Sequence, residues 1–162
     1  MSKWVLESDN SVLLGCIKND EGSIAYQKTV GYYKDGLFRI YKDHLGYPTI
    51  GYGHLILKGE DFTKGINESQ ADALLVRDLK TAVKDAKSIY EQFNMTGGME
   101  LQLVLAQMCF QMGKTKVLGF KKALAAMTAK NYVEAAKQMR DSSWYKQTPQ
   151  RANRLSKIVE SL

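Results

Sequence analysis

Asp43, Thr49 and His54 lie in the stretch IYKDHLGYPTIGYGHL, residues 40–55, a run crowded with Tyr and Gly. An ionised carboxylate with a hydroxyl six positions away has the parts to hold and activate a water molecule. General acid–base chemistry also asks for a second carboxyl, kept protonated by its surroundings, on the opposite side of the reacting bond. The stretch supplies none, and a single Asp in a glycine-rich hairpin is ordinarily a turn residue. Two acids upstream are candidates: Glu21 in DEG and Asp35 in YKDG. Asp35 belongs to a Lys-Asp-Gly turn, whose tip points into water. Residue types and spacing alone leave both in play, with Glu21 directly after an amphipathic segment.

The elements that must position these residues follow from patterning. Asn10 reads as the N-cap of a first helix, VLLGCIKND, with apolar residues on one face and an end near residues 21–22. From Thr29 the period becomes two: VGYY, then Lys-Asp-Gly, then LFRIY predicts a hairpin, and a second turn at residues 44–47 leads to PTIGYG and HLIL. The expectation is one small antiparallel sheet, lengthened by a strand through SIAYQKTVGYYKDG. Asn67 with Gln70 three positions on forms a capping box. The long helix that follows carries Ala71, Leu74, Leu75, Ala82, Val83, Ala86 and Ile89 at helical spacing. NMTGG ends it, and downstream everything reads as helix, with Thr148 as cap and Pro149 at the first position of the last one. Trp4, Val5 and Leu6 of the lead are expected to pack on the body.

The fold class is therefore α+β: a small antiparallel sheet lobe over about residues 20–66, a connecting helix over about 68–91, and a larger all-helical lobe over about 97–162 with the first helix, about 11–20. All belong to a single domain of 162 residues, with a cleft expected between the lobes. Hydrophobic residues at 44% and charged residues at 25% exclude disorder. The net charge of +6 favours polyanionic partners, yet Lys and Arg alternate with Asp and Glu along the helices and no nucleic-acid motif accompanies them. Cys16 and Cys109 stand in apolar helical surroundings without Cys or His neighbours, which predicts neither a disulfide framework nor a metal site. LLGC at 13–16 superficially resembles a lipoprotein box, but Glu7, Asp9 and Asn10 interrupt the apolar run such a signal needs, so no lipid anchor at Cys16 is expected. No segment is long and apolar enough for a membrane span.

DEG at 20–22, IYKD at 40–43, GYPTIGYGHL at 46–55, FQMG at 110–113 and WYKQTPQRA at 144–152 occur in the order found in phage lysozymes of the T-even type. From about Val12 to Leu155 the chain resembles that family. The resemblance implies an N-acetylmuramidase that cleaves the bond between N-acetylmuramic acid and N-acetylglucosamine in peptidoglycan, without metal or cofactor. It implies Glu21 as proton donor, Asp43 as base or electrostatic partner, and Thr49 as holder of the attacking water. Inversion at the anomeric carbon is implied with it, and so carboxyls roughly 6.5–9.5 Å apart. Arg151 matches the family arginine that orients the acid, and His54 with Asp78 matches a structural salt bridge. Leu55, Phe110 and Gln138 match sugar contacts, although Gln138 stands where the family has asparagine and Ala123 where it has serine. Trp144 and Tyr145 are read as packing. The acid is displaced from the family's spacing by the inserted segment 23–36.

Two settings follow from the resemblance: an endolysin held in the host cytoplasm before it reaches the periplasmic wall, or a virion tail lysozyme with phage tail proteins as partners. The nine-residue lead and the end at IVESL depart from the compact endolysin pattern. The lead is expected to cover surface that a further short helix would have covered. A monomer acting on the glycan strand is expected. A catalytically inactive lysozyme-like module, binding cell wall or building a tail, is the alternative.

Overall fold

The structure, a computed structural model, describes residues 3–162. Its elements are α1 (Ser11–Glu21), α2 (Ile24–Thr29), β1 (Tyr33–Lys34), β2 (Leu37–Phe38), β3 (Tyr41–Lys42), β4 (Pro48–Ile50) and β5 (His54–Leu55). The helices α3 (Glu68–Gln92), α4 (Met99–Met112), α5 (Lys114–Leu118), α6 (Lys121–Thr128), α7 (Tyr132–Arg140), α8 (Ser143–Gln147) and α9 (Pro149–Glu160) follow. The α+β class expected from sequence is what the chain adopts. Two compact units divide it: Ser8–Asp78 contains the strands, and the lead to Glu7 joins Leu79–Leu162 in a helical unit. α1, grouped by sequence with the helical lobe, falls in the sheet-bearing unit.

In the sheet-bearing unit, α1 begins where Asn10 accepts hydrogen bonds from the amides of Val12 and Leu13, both at 3.0 Å. It buries Leu13 and Ile17 and stops at Gly22, whose φ of 112° lies outside what a side chain adopts comfortably. Each fully buried aliphatic of this kind contributes about 1.5–3 kcal/mol. The turn at Asp35 and Gly36, with φ of 57° and 76°, joins β1 to β2 as the Asp-Gly pair predicts.

The sequence expectation of one lengthened sheet is corrected. β1 and β2 form a two-stranded sheet of their own, and β3-β4-β5 form a separate antiparallel sheet. Residues 24–29 are helical, because Ser23 caps the Tyr26 amide at 3.2 Å and Gln27 turns inward, 1% exposed, on a segment otherwise facing solvent. Phe38, paired with Tyr33 in the hairpin, also exchanges backbone hydrogen bonds with Ile66, at 2.7 and 3.0 Å.

α3 starts with the reciprocal capping box read from sequence: the Gln70 amide donates to Asn67 at 2.8 Å and the Asn67 amide to Gln70 at 2.9 Å. Its residues 68–78 belong to the sheet-bearing unit and 79–92 to the helical unit. In the latter, α7 packs on α6 and α9, and α4 packs on α9. The core there includes Leu101, Leu105, Met108, Leu124 and Leu155. The lead is held by Gln102, fully buried, whose side chain accepts from the amides of Val5 and Leu6 and donates to the Lys3 carbonyl at 3.0 Å. Trp4 packs edge-on against Tyr90 and Leu6 is buried, while Val5 faces solvent. Thr148 sits at the N-cap of α9, but its hydroxyl donates back to the Trp144 carbonyl at 3.1 Å rather than capping forward.

Candidate functional site

The register of β3-β4-β5 sets the site's layout. Tyr41 pairs with Thr49 and Thr49 with Leu55, so these three side chains share one face of the sheet. Ile50 and His54, paired with each other, occupy the opposite face. The Asp43 amide donates to the Tyr47 carbonyl at 2.9 Å and carries the pairing two residues beyond Tyr41. Asp43 is half-buried, and its Oδ1 accepts from the amides of Leu45 and Tyr47, both at 2.9 Å. Those two bonds fix the carboxylate's direction. Among the described residues no hydrogen bond engages Oδ2.

Thr49 is 3% exposed and donates its hydroxyl to the Tyr47 carbonyl at 3.0 Å, which leaves its lone pairs to accept. Glu21 is the last residue of α1 and half-buried. Its carboxylate rests against Gly53 in the β4–β5 turn: a Cβ added to Gly53 would meet Glu21 Oε2 at 2.7 Å. Gly53, with φ of 82°, is thus required twice over, by its backbone and by its neighbour.

Tyr41 feels the charge of both acids. Burial pushes its phenol up to about 12, and the Glu21 carboxylate, Tyr32, Asp43 and Tyr26 push in the same direction. Tyr32 stacks on Tyr41 with ring centroids 4.2 Å apart and planes within 7°. Glu21 and Asp43 therefore bear on one tyrosine, whose own strand partner is Thr49. Two carboxyls and a hydroxyl so arranged have the parts to protonate a leaving oxygen and to activate water. Asp35 stands exposed at its hairpin tip.

His54, 5% exposed, has Asp78 Oδ2 2.8 Å from Nδ1 and Glu60 Oε1 2.8 Å from Nε2. Leu55 is 50% exposed on the Thr49 face. In the helical unit, Phe110 is half-buried in the last turns of α4, and Gln138 on α7 donates to Glu134 at 2.9 Å. Arg151 lies half-buried in the first turn of α9, and Ala123 is buried in α6. Trp144 is buried and donates to Gln111 Oε1 at 2.8 Å, edge-on to Phe120. Among the described residues no group of His, Cys, Asp and Glu could hold a metal, and no helix is long and apolar enough to cross a membrane.

Sequence reasoning missed Tyr32, Tyr41, Gly53 and Glu60. Tyr41 was within reach, since it stands two residues before Asp43 on a period-two strand. Tyr32, Gly53 and Glu60 come from a loop or a turn, where no periodicity marks the side chain's direction.

The profile of the family described as phage lysozyme matches residues 36–159. A probable T4-type lysozyme of Dictyostelium discoideum is 34% identical over 149 residues, covering 75% of this chain and 85% of that protein. The pre-baseplate central spike protein Gp5 of Enterobacteria phage T4 is 35% identical over 147 residues, covering 75% of this chain and 25% of the spike protein. A peptidoglycan hydrolase, gp36, of Pseudomonas phage phiKMV is 30% identical over 113 residues, covering 69% of this chain and 12% of that protein.

Proposed function

The chain belongs to the phage lysozyme family and is a lysozyme-type cell-wall hydrolase, and on that premise we propose that it is an N-acetylmuramidase with Glu21 as its proton donor. The bond cleaved is the β-1,4 link between N-acetylmuramic acid and N-acetylglucosamine. Glu21 delivers a proton to the leaving oxygen, and Asp43 takes one from a water that the Thr49 hydroxyl helps to hold. Water attack on the opposite face inverts the anomeric carbon. The observation that carries this reading is the seat of Glu21 against Gly53, in the turn that follows the strand of Thr49.

Leu55, exposed on the Thr49 face, is a sugar contact in this reading, as are Phe110 and Gln138 of the helical unit. Arg151 is a supporting cation, and His54 with Asp78 supports the sheet from its other face. The net charge of +6 suits an anionic wall. Likeness to a spike protein favours a tail-associated role in opening the wall during infection, with tail proteins as partners.

The test compares Glu21→Gln with Asp35→Asn on chloroform-treated Gram-negative cells, with folding checked by circular dichroism. Glu21→Gln should lower the rate about 10²–10⁴-fold, while Asp35→Asn keeps it. Loss in Asp35→Asn with activity retained in Glu21→Gln would move the acid to the hairpin. Proton NMR of the first-formed anomer on a soluble glycan reads the inversion.

A further inference from the structure

We propose that Gln27, on the α2 segment that precedes the family-matched stretch, is a positioning residue that locks Glu21 onto its seat; the inference rests on the reading of Glu21 as proton donor. Gln27 is 1% exposed, and its Nε2 donates to the Gly22 carbonyl at 2.8 Å and to the Gly51 carbonyl at 3.0 Å. Gly22 is the residue immediately after Glu21. Gly51 opens the turn at residues 51–53, whose Gly53 the Glu21 carboxylate touches. One amide thus ties the backbone that carries the acid to the backbone on which the acid rests, across 24 residues of sequence.

The chemistry of the site leaves the amide a single orientation. Both partners are carbonyl oxygens, so only the NH2 end can face them. Oε1 is then buried with no partner among the described residues. An apolar side chain of similar length would fill the space without stranding an acceptor, so packing alone does not account for glutamine here. α2 also lies beside the end of α1: a Cβ added to Gly22 would be in ordinary van der Waals contact with the Tyr26 ring at 3.4 Å and Gln27 Cγ at 3.6 Å. Proton transfer depends on placement to within about an ångström, and a shift of that size costs roughly 10²-fold in rate. The inserted segment that moves Glu21 away from Asp43 in sequence also supplies the bracket that fixes it in space.

Gln27→Met removes both donations at nearly constant volume. Its kcat on a soluble glycan strand should fall about 10–100-fold with KM within about twofold, at a temperature well below its own melting midpoint. In the Glu21→Gln background, assayed at high enzyme concentration for residual turnover, Gln27→Met should cost nothing more, since it acts only through the missing acid. If Gln27→Met does not fold, Gln27→Asn, too short to reach both carbonyls, is judged by the same two readouts. A wild-type kcat, a loss in KM instead, or an undiminished cost in the Glu21→Gln background overturns the proposal. Full activity in Glu21→Gln alone would overturn the reading of the acid itself, an outcome separate from any of these.

Discussion

His54 presents a carboxylate to each ring nitrogen, Asp78 at Nδ1 and Glu60 at Nε2. Both ring nitrogens thus have a carboxyl oxygen within hydrogen-bond distance, with donor and acceptor roles set by the tautomer. Glu60 is held low, to about 2, chiefly by the Leu57 amide at 2.7 Å, then by His54, with burial opposing and Arg77 assisting. A carboxyl depressed in the folded state stabilises above its unfolded value of about 4.3 and loses that contribution as the pH falls toward its folded one. Glu60→Gln should therefore be less stable than wild type at pH 6, and the difference should close between about pH 4.5 and 2. Denaturant melts at a series of pH values read this directly; a difference constant down to pH 2 would assign the effect of Glu60 to something other than its charge.

At the scale of elements, the lead is the clearest case of a segment with no regular structure held by one side chain. Val5 and Leu6 donate to Gln102 Oε1 at 2.9 and 3.1 Å, and Trp4 Nε1 donates to the Leu6 carbonyl at 2.8 Å. Replacing Gln102 by Ala removes the acceptor of both amides and leaves a void at a fully buried position. Stability should fall by about 1–3 kcal/mol, and limited proteolysis should cut the lead first. Intact lead under conditions that cleave no other segment would show that Trp4 and Leu6 hold it by packing alone. α2 and α9 teach the complementary point about caps: Ser23 caps forward as its type predicts, while Thr148, in the same position, spends its hydroxyl on Trp144.

For the molecule as a whole, net charge is expected to act on the encounter with the wall more than on the chemistry. A net charge of +6 attracts an anionic envelope through a field that salt screens over about 8–10 Å near physiological ionic strength. Lysis of whole cells should slow severalfold between roughly 20 mM and 300 mM salt, while turnover of a short uncharged glycan fragment changes little. Equal slowing on both substrates would place the salt effect in the site instead. Proton transfer in this view depends on Glu21 and Asp43 of the sheet-bearing unit, and approach depends on net charge.

What the sequence by itself determined are the features made by neighbours in the chain. Asn10 over the start of α1, the Asn67–Gln70 box of α3, the Asp35-Gly36 turn and the class of the fold all follow from hydrogen bonds or periodicity within a few residues. Motif order alone pointed to the family, and the profile match over residues 36–159 agrees. Tertiary structure decided the rest. Residues 24–29, part of the segment expected to lengthen the sheet, form a helix whose Gln27 reaches the Gly51 carbonyl, and the strands fall into two sheets. Tyr32 came to stack on Tyr41, and Glu21 came to lie on Gly53. These contacts join segments tens of residues apart or fall in irregular backbone, where no local rule sets the side chain's direction; only the closed chain brings their atoms within reach.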